Sequence, residues 1–316
     1  MQKDYSEVLK KLQSISTNLS TDNKNNRAKT SNTLSLDYSY PNNKFDWVGI
    51  KHNDCLDYVA SNIPAITDDS KNLTLTIRQP LSDESSTVEL NGRIQKAIGL
   101  TQKYWNEKVM DEYVRPFVSG PVINNNYENN ISSENIQYLT ENKFIDPRLD
   151  GLDKFNSDFS LKLNHYVEAG KITTFEAEAD KSIVKQAMET DDVQASIDII
   201  KSAEKIIIEA SIDETVRTRQ LTFLSIFRNS IGYWANVIDD QSNPWWTINK
   251  NFFQRVGTHE GYARWSWHKF WGVLLTGIAD AVGGVVGVFI EPPVLGAAVG
   301  GVVGSALSAV VDNVYP

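Results

Sequence analysis

Apolar residues recur every three or four positions over most of the chain, a pattern that predicts helices separated by short breaks. Tyr5, Val8, Leu9, Leu12 and Ile15 mark one within residues 4–19. Asp46 stands where an N-cap belongs, ahead of a helix running to about Ser61 and stopped by Pro64. Between them, residues 20–44 are rich in Asn, Ser, Thr and Lys and read as a linker or mobile arm. Leu73, Leu75 and Ile77 alternate with Thr74, Thr76 and Arg78, the period of a short strand or an extended loop. One such segment cannot make a sheet.

The helical pattern then resumes. A long helix is predicted from Val88 or Asn91 to residue 117, with Ile94, Ile98, Trp105, Val109 and Val114 among its apolar positions. Pro116 and Gly120-Pro121 end it. After an Asn-rich turn region at 124–130, a short helix is expected over 133–142, and another over 152–169, terminated by Gly170. Thr173-Thr174-Phe175-Glu176 has the spacing of a capping box and opens a helix to about Glu189. Asp191 or Asp192 caps the next, to about Ala210. The last runs from Asp213 to Asp239 and carries Leu221, Leu224, Phe227, Ile231 and Trp234 at helical spacing. The predicted fold is all-α: an N-terminal helix and flexible arm over 1–44, a helical bundle over 45–270, and a glycine-rich apolar helical hairpin over 271–316.

That hairpin is the most distinctive tract. Two apolar arms flank Glu291-Pro292-Pro293. Ala279, Gly283 and Gly287 lie four apart on the first arm, and Gly296, Gly300 and Gly304 on the second. On helices, these make smooth stripes that let two backbones approach closely. The first arm, 270–290, has 21 residues and the second, 294–311, has 18, lengths compatible with a hydrocarbon core of about 30 Å. The first arm's eleven Leu, Ile, Phe and Val residues contribute about −3 to −7 kcal/mol on an insertion scale, against roughly +3 for Asp280 at mid-arm. The eight of the second arm contribute about −2 to −5 kcal/mol. Insertion is close to break-even, so two alternatives stand: a hairpin that enters a membrane, or one buried as core by the helices upstream. Six of the eight tryptophans, at 234, 245, 246, 265, 267 and 271, lie ahead of or at the very start of the glycine-rich arms. They suit an interfacial belt or an aromatic core equally.

Charge and chemistry narrow the function classes. A net charge of −9 with no strong basic run argues against nucleic-acid binding and against a polybasic membrane anchor. Cys55 is the single cysteine, so no intrachain disulfide can form. Residues 1–5 lack the apolar stretch of a signal peptide. His52 and Cys55 share a helix face, but two ligands make a weak metal signal. His52 with Asp54 or Asp57 has the look of a base and its orienter, a pairing common by chance. His259-Glu260 lacks the second histidine of a zinc-protease helix, His268 sits among tryptophans, and Asp239-Asp240 reads as a helix end. There is no phosphate loop, dinucleotide fingerprint or nucleophile elbow. No cofactor is expected.

Gly49-Ile50-Lys51-His52-Asn53-Asp54-Cys55-Leu56-Asp57-Tyr58-Val59 resembles a G-x-x-H-N-x-x-L-D motif of Bacteroidota proteins that have no assigned activity and are often exported. Those proteins often end in a tract like Ala279-Asp280-Ala281-Val282-Gly283-Gly284. The resemblance implies a bacterial, exported or envelope-associated protein, marks His52, Asn53 and Asp57 as motif residues, and carries no activity. The tract is also similar to glycine-zipper segments of bacteriocins and envelope proteins. The leading expectation is a non-enzymatic, toxin-like, pore-forming or envelope protein whose hairpin engages a lipid bilayer or a protein partner; an oligomer is compatible with the stripes. The alternatives are a soluble helical binding or structural module with the hairpin as core, and a hydrolase using His52.

Overall fold

The computed structural model describes residues 5–16, 36–62, 172–190 and 192–248, parts of 100–109 and 159–170, and the backbone of 73–78 and 85–90. The elements are α1 (Ser6–Gln13), α2 (Asp46–Asn62), β1 (Leu73–Arg78), β2 (Ser85–Leu90), α3 (Thr174–Met188), α4 (Val193–Glu209), α5 (Glu214–Asp239) and α6 (Pro244–Ile248). The described residues are mainly helical. The C-terminal hairpin at 271–316, with its stripe residues Ala279, Gly283, Gly287, Gly296, Gly300 and Gly304, lies outside the described residues. So do His259, His268, the short helix expected at 133–142 and most of the long one expected to reach 117.

Helix α5 is the axis of the bundle. Its 26 residues span about 39 Å at 1.5 Å per residue. From Gln220 to Ala235 every residue is buried, polar ones included. Helix α2 packs along one side and α4 along another, α3 continues beyond α4, and α1 lies on α3 and α4. The short α6 closes the end formed by α2 and α5. The core follows the predicted periodicity: on α4, Val193, Ile197, Ile200, Ala203 and Ile207 form one buried stripe. Phe223, Phe227, Leu224 and Ile231 of α5 fill the centre.

The helix starts are set locally. Thr173 Oγ1 accepts from the Glu176 amide at 3.2 Å, and Glu176 accepts from the Thr173 amide at 2.7 Å, so the capping box expected from the sequence is formed. Asp192 caps α4 through the Ala195 amide, and Asp213 caps α5 through those of Thr215 and Val216. Gly170 adopts φ +66° after the helical residues at 166–168, the left-handed stop that glycine supplies without strain. Replacing Thr173 with Ala is expected to cost about 1 kcal/mol, read as a lower urea midpoint with an unchanged slope. An unaltered midpoint would show that Arg219, which also grips Glu176, holds the turn alone.

Three expectations need correction. First, Leu73–Arg78 is not a lone extended segment: it pairs antiparallel with Ser85–Leu90, Leu75 opposite Val88 and Ile77 opposite Ser86. Val88 therefore begins no helix; helical residues appear at 100 and 101. The β-branched pair Thr87-Val88 favours the pleated conformation, and the pairing partner lay earlier in the chain than a helical window inspects. Second, the described parts of the segment expected as an N-terminal helix and flexible arm, residues 5–16 and 36–44, pack on the bundle; residues 17–35 lie outside the described residues. Third, Asp46 does not cap α2; its carboxylate turns toward α5.

Candidate functional site

The motif residues occupy the contact between α2 and α5. Gly49, His52, Asn53 and Leu56 fall at helical spacing of three and four, one stripe of α2. Gly49 is there because nothing larger fits: a Cβ on it would run into the Ser225 carbonyl and the Asn229 side chain. At that distance polar bonds knit the helices. The Gly49 amide donates to Ser225 Oγ (3.1 Å), Ser225 Oγ donates to the Asp46 carbonyl (3.2 Å), and Asn53 Nδ2 donates to the Asn229 carbonyl (3.0 Å). His52 is wholly buried, its Nδ1 3.0 Å from Asn53 Oδ1. Cys55 beside it is buried as a small apolar residue. Among the described residues no group of three or more His, Cys, Asp or Glu gathers as metal ligands would.

Asp57, the remaining motif residue, is directed to α5. It accepts from the Tyr233 hydroxyl at 2.7 Å, and that hydroxyl accepts from Trp245 Nε1 at 2.8 Å. Partial desolvation pushes the Asp57 carboxyl up; the Tyr233 bond pulls it down, and the neighbouring Asp54 charge pushes it further up. Trp245 is fully buried against Trp234, which meets Tyr233 edge-on. Two of the six clustered tryptophans are therefore core residues. Asp240, placed by the sequence at a helix end, has one carboxylate oxygen engaged by the Ser242 amide and hydroxyl.

The densest polar cluster lies at the start of α2. Arg228 of α5, with no exposed surface, donates through Nε to Glu204 (2.8 Å) and through Nη2 to Glu204 (3.0 Å) and Asp46 (2.5 Å). Its Nη1 takes the Tyr38 carbonyl, and its plane lies 5.8 Å from the Tyr40 ring centroid. Asn43 Nδ2 donates to Glu204 (2.7 Å) and to the Leu221 carbonyl (2.8 Å), while its Oδ1 accepts the Phe45 amide. The cluster holds one guanidinium between two carboxylates and is one positive charge short of neutral. Glu204 and Arg228 are each shifted toward the protonated form. Burial pushes Glu204 up more than Arg228 and Asn43 pull it down. Burial opposes the Arg228 charge, yet Glu204 and Asp46 outweigh it and leave Arg228 above its ordinary value.

Residues 36–44 form a strap over α4 and α5. Leu36, Tyr38 and Tyr40 are half-buried while Asp37 and Ser39 are exposed, the alternation of an extended chain. Gln194 of α4 reads the strap's backbone, accepting the Asp37 amide at 2.9 Å and donating to its carbonyl at 3.2 Å. Tyr38 lies over Gly232, where any side chain would collide with its ring. Lys201 pairs with Asp37 and Lys44 with Glu214. The sequence reading missed Asn43, Glu204, Arg228 and the tyrosines. Two signals were available: the Leu36-x-Tyr38-x-Tyr40 alternation, and an arginine among the apolar positions of α5.

Chemically, this arrangement holds chain segments together. Arg228 has each of its three nitrogens committed, and both carboxylates face it. Set against models of known protein families, curated proteins and solved structures, the chain finds no match.

Proposed function

We propose that this is a non-enzymatic bacterial protein in which the helical bundle is the carrier and the C-terminal apolar tract engages a lipid bilayer, in a toxin-like, pore-forming or envelope role. The observation that carries the proposal is the pair of small-residue stripes, Ala279/Gly283/Gly287 and Gly296/Gly300/Gly304, on two apolar arms of near-spanning length. The bundle supports it indirectly. His52, on which the hydrolase alternative rests, is wholly buried with its Nδ1 at Asn53, and the motif residues Asn53 and Asp57 are engaged with the Asn229 carbonyl and Tyr233. None of the described helices is long and apolar enough to cross a membrane, and the proposal puts the bilayer contact in the tract.

One observation favours a second reading, a soluble module with the hairpin as core. Trp234 and Trp245 are buried in the bundle, which removes them from any interfacial belt. Co-sedimentation with liposomes separates the two. The full chain is expected to pellet with zwitterionic phosphatidylcholine vesicles, and a chain ending at Trp271 with native circular dichroism is expected to stay in the supernatant. Equal, negligible binding of both at acidic and neutral pH would reject the membrane reading.

A further inference from the structure

Next to the Glu176–Arg219 pair, the contact between α3 and α5 holds a second carboxyl with a different partner. Asp180 lies one turn beyond Glu176 on α3 and is 1% exposed. Among the described residues no cation is paired with it; its hydrogen bond comes from Gln220 of α5, whose Nε2 donates to Asp180 Oδ1 at 3.0 Å. Among the described residues the charged group that acts on this point is Glu176, from α3 itself; the neighbouring cation of α5 is Arg219. Arg219 is spent on Glu176, at 2.6 Å through Nε and 2.8 Å through Nη2. The other helices packed on α3, α1 and α4, bring no charged group that acts on Asp180 among the described residues. An ionised Asp180 would thus be a buried anion beside another anion, a costly arrangement.

The amide partner supplies an independent sign. Gln220 is 2% exposed, and its Oε1 is buried with no hydrogen-bond donor. Buried amide oxygens are rarely left so. An Asp180 carrying a proton on Oδ2 becomes the missing donor, because a carboxylic acid and a primary amide can each give one hydrogen bond and take one. We propose that Asp180 is held at neutral pH as the neutral acid in a cyclic acid–amide pair with Gln220, making the α3–α5 contact a latch that loss of this proton loosens. The inference is independent of the membrane reading.

The sign of the pH effect follows. Burial, with Glu176 adding to it and the Gln220 bond opposing it, places the Asp180 carboxyl well above the usual carboxylate range. A group raised on folding contributes stability that is complete below its unfolded value, about 3.9, and is lost as pH rises through the folded value. Asp180→Asn keeps the shape, removes the titration and can complete the same pair. We expect its thermal midpoint to exceed that of the wild type by a difference that widens by several degrees between about pH 5 and about pH 9. Isotope-edited infrared spectra of wild-type protein labelled at aspartate carboxyls should show a protonated C=O band at neutral pH, where ordinary aspartates are ionised. That measurement needs no variant. Parallel melting curves across the pH range, or a labelled wild type with no protonated band at neutral pH, would overturn the proposal.

Discussion

Replacing Arg228 with Ala is expected to remove about 3–5 kcal/mol of stability, or to prevent soluble folding outright. The magnitude follows from what is left behind rather than from what is lost. Glu204 and Asp46 are buried at the junction of α2, α4 and α5, and Arg228 is the guanidinium that faces both. Without it, two carboxylates confront each other in a site with little access to water, and the Tyr38 carbonyl loses its donor. The strap at 36–44 and the first turn of α2 should loosen first, because both are tied to α5 through this side chain. At roughly 2–4 °C per kcal/mol for a domain of this size, thermal denaturation resolves the effect easily. The combination of Arg228→Met with Glu204→Leu and Asp46→Asn should recover much of the loss, since uncharged groups of similar volume avoid the desolvation penalty of buried ions. A single Arg228→Ala variant within about 1 kcal/mol of wild type would mean that water already reaches the cluster.

Gly49→Ala is expected to destabilise by about 1–3 kcal/mol, the range for overpacking a filled contact. Intrinsic propensity points the other way, since alanine is better than glycine in a helix by roughly 1 kcal/mol. The contact decides the net sign. A methyl group at Gly49 meets the Ser225 carbonyl, which is backbone and cannot rotate aside, as well as the Asn229 amide. Moving α2 outward to make room would stretch the bonds from the Gly49 amide to Ser225 and from Asn53 to Asn229. Urea denaturation of Gly49→Ala beside Gly232→Ala makes the comparison internal. At Gly232 the obstacle is the Tyr38 ring of the strap, which can swing away, so the smaller loss is expected there. Stabilisation by Gly49→Ala would sever the motif from helix packing and return His52, Asn53 and Asp57 to consideration as a chemical site.

These expectations recast the G-x-x-H-N-x-x-L-D motif. Its spacing was visible in the sequence as one helix face, and His52 invited a chemical interpretation because Asp54 and Asp57 follow closely. In the fold, His52 turns to Asn53, Asp57 turns to Tyr233, and Gly49 marks the closest approach to α5. Periodicity could place these residues on a common stripe. It could not say that a glycine and an asparagine on that stripe were matched to Ser225 and Asn229, some 176 residues later.

What the sequence determined by itself is local. Helix periodicity, the Thr173–Glu176 box, a cap at Asp191 or Asp192, a helix start at Asp213 and the Gly170 stop are fixed by neighbours within one or two turns, so a window of the chain contains their causes. The small-residue stripes at 271–316 belong to the same order of information, and their expected partner, bilayer or protein, is not local at all. The tertiary structure alone decided where buried charge goes. Asn43 in an apparent linker, Asp46 at an apparent cap, and Glu204 and Arg228 on separate helices carry no mutual signal along the chain. They converge because a buried guanidinium must be met by carboxylates and carbonyls, wherever in the sequence those lie. The pairing of Leu73–Arg78 with Ser85–Leu90 is of the same kind, since a strand is specified by its partner as much as by itself.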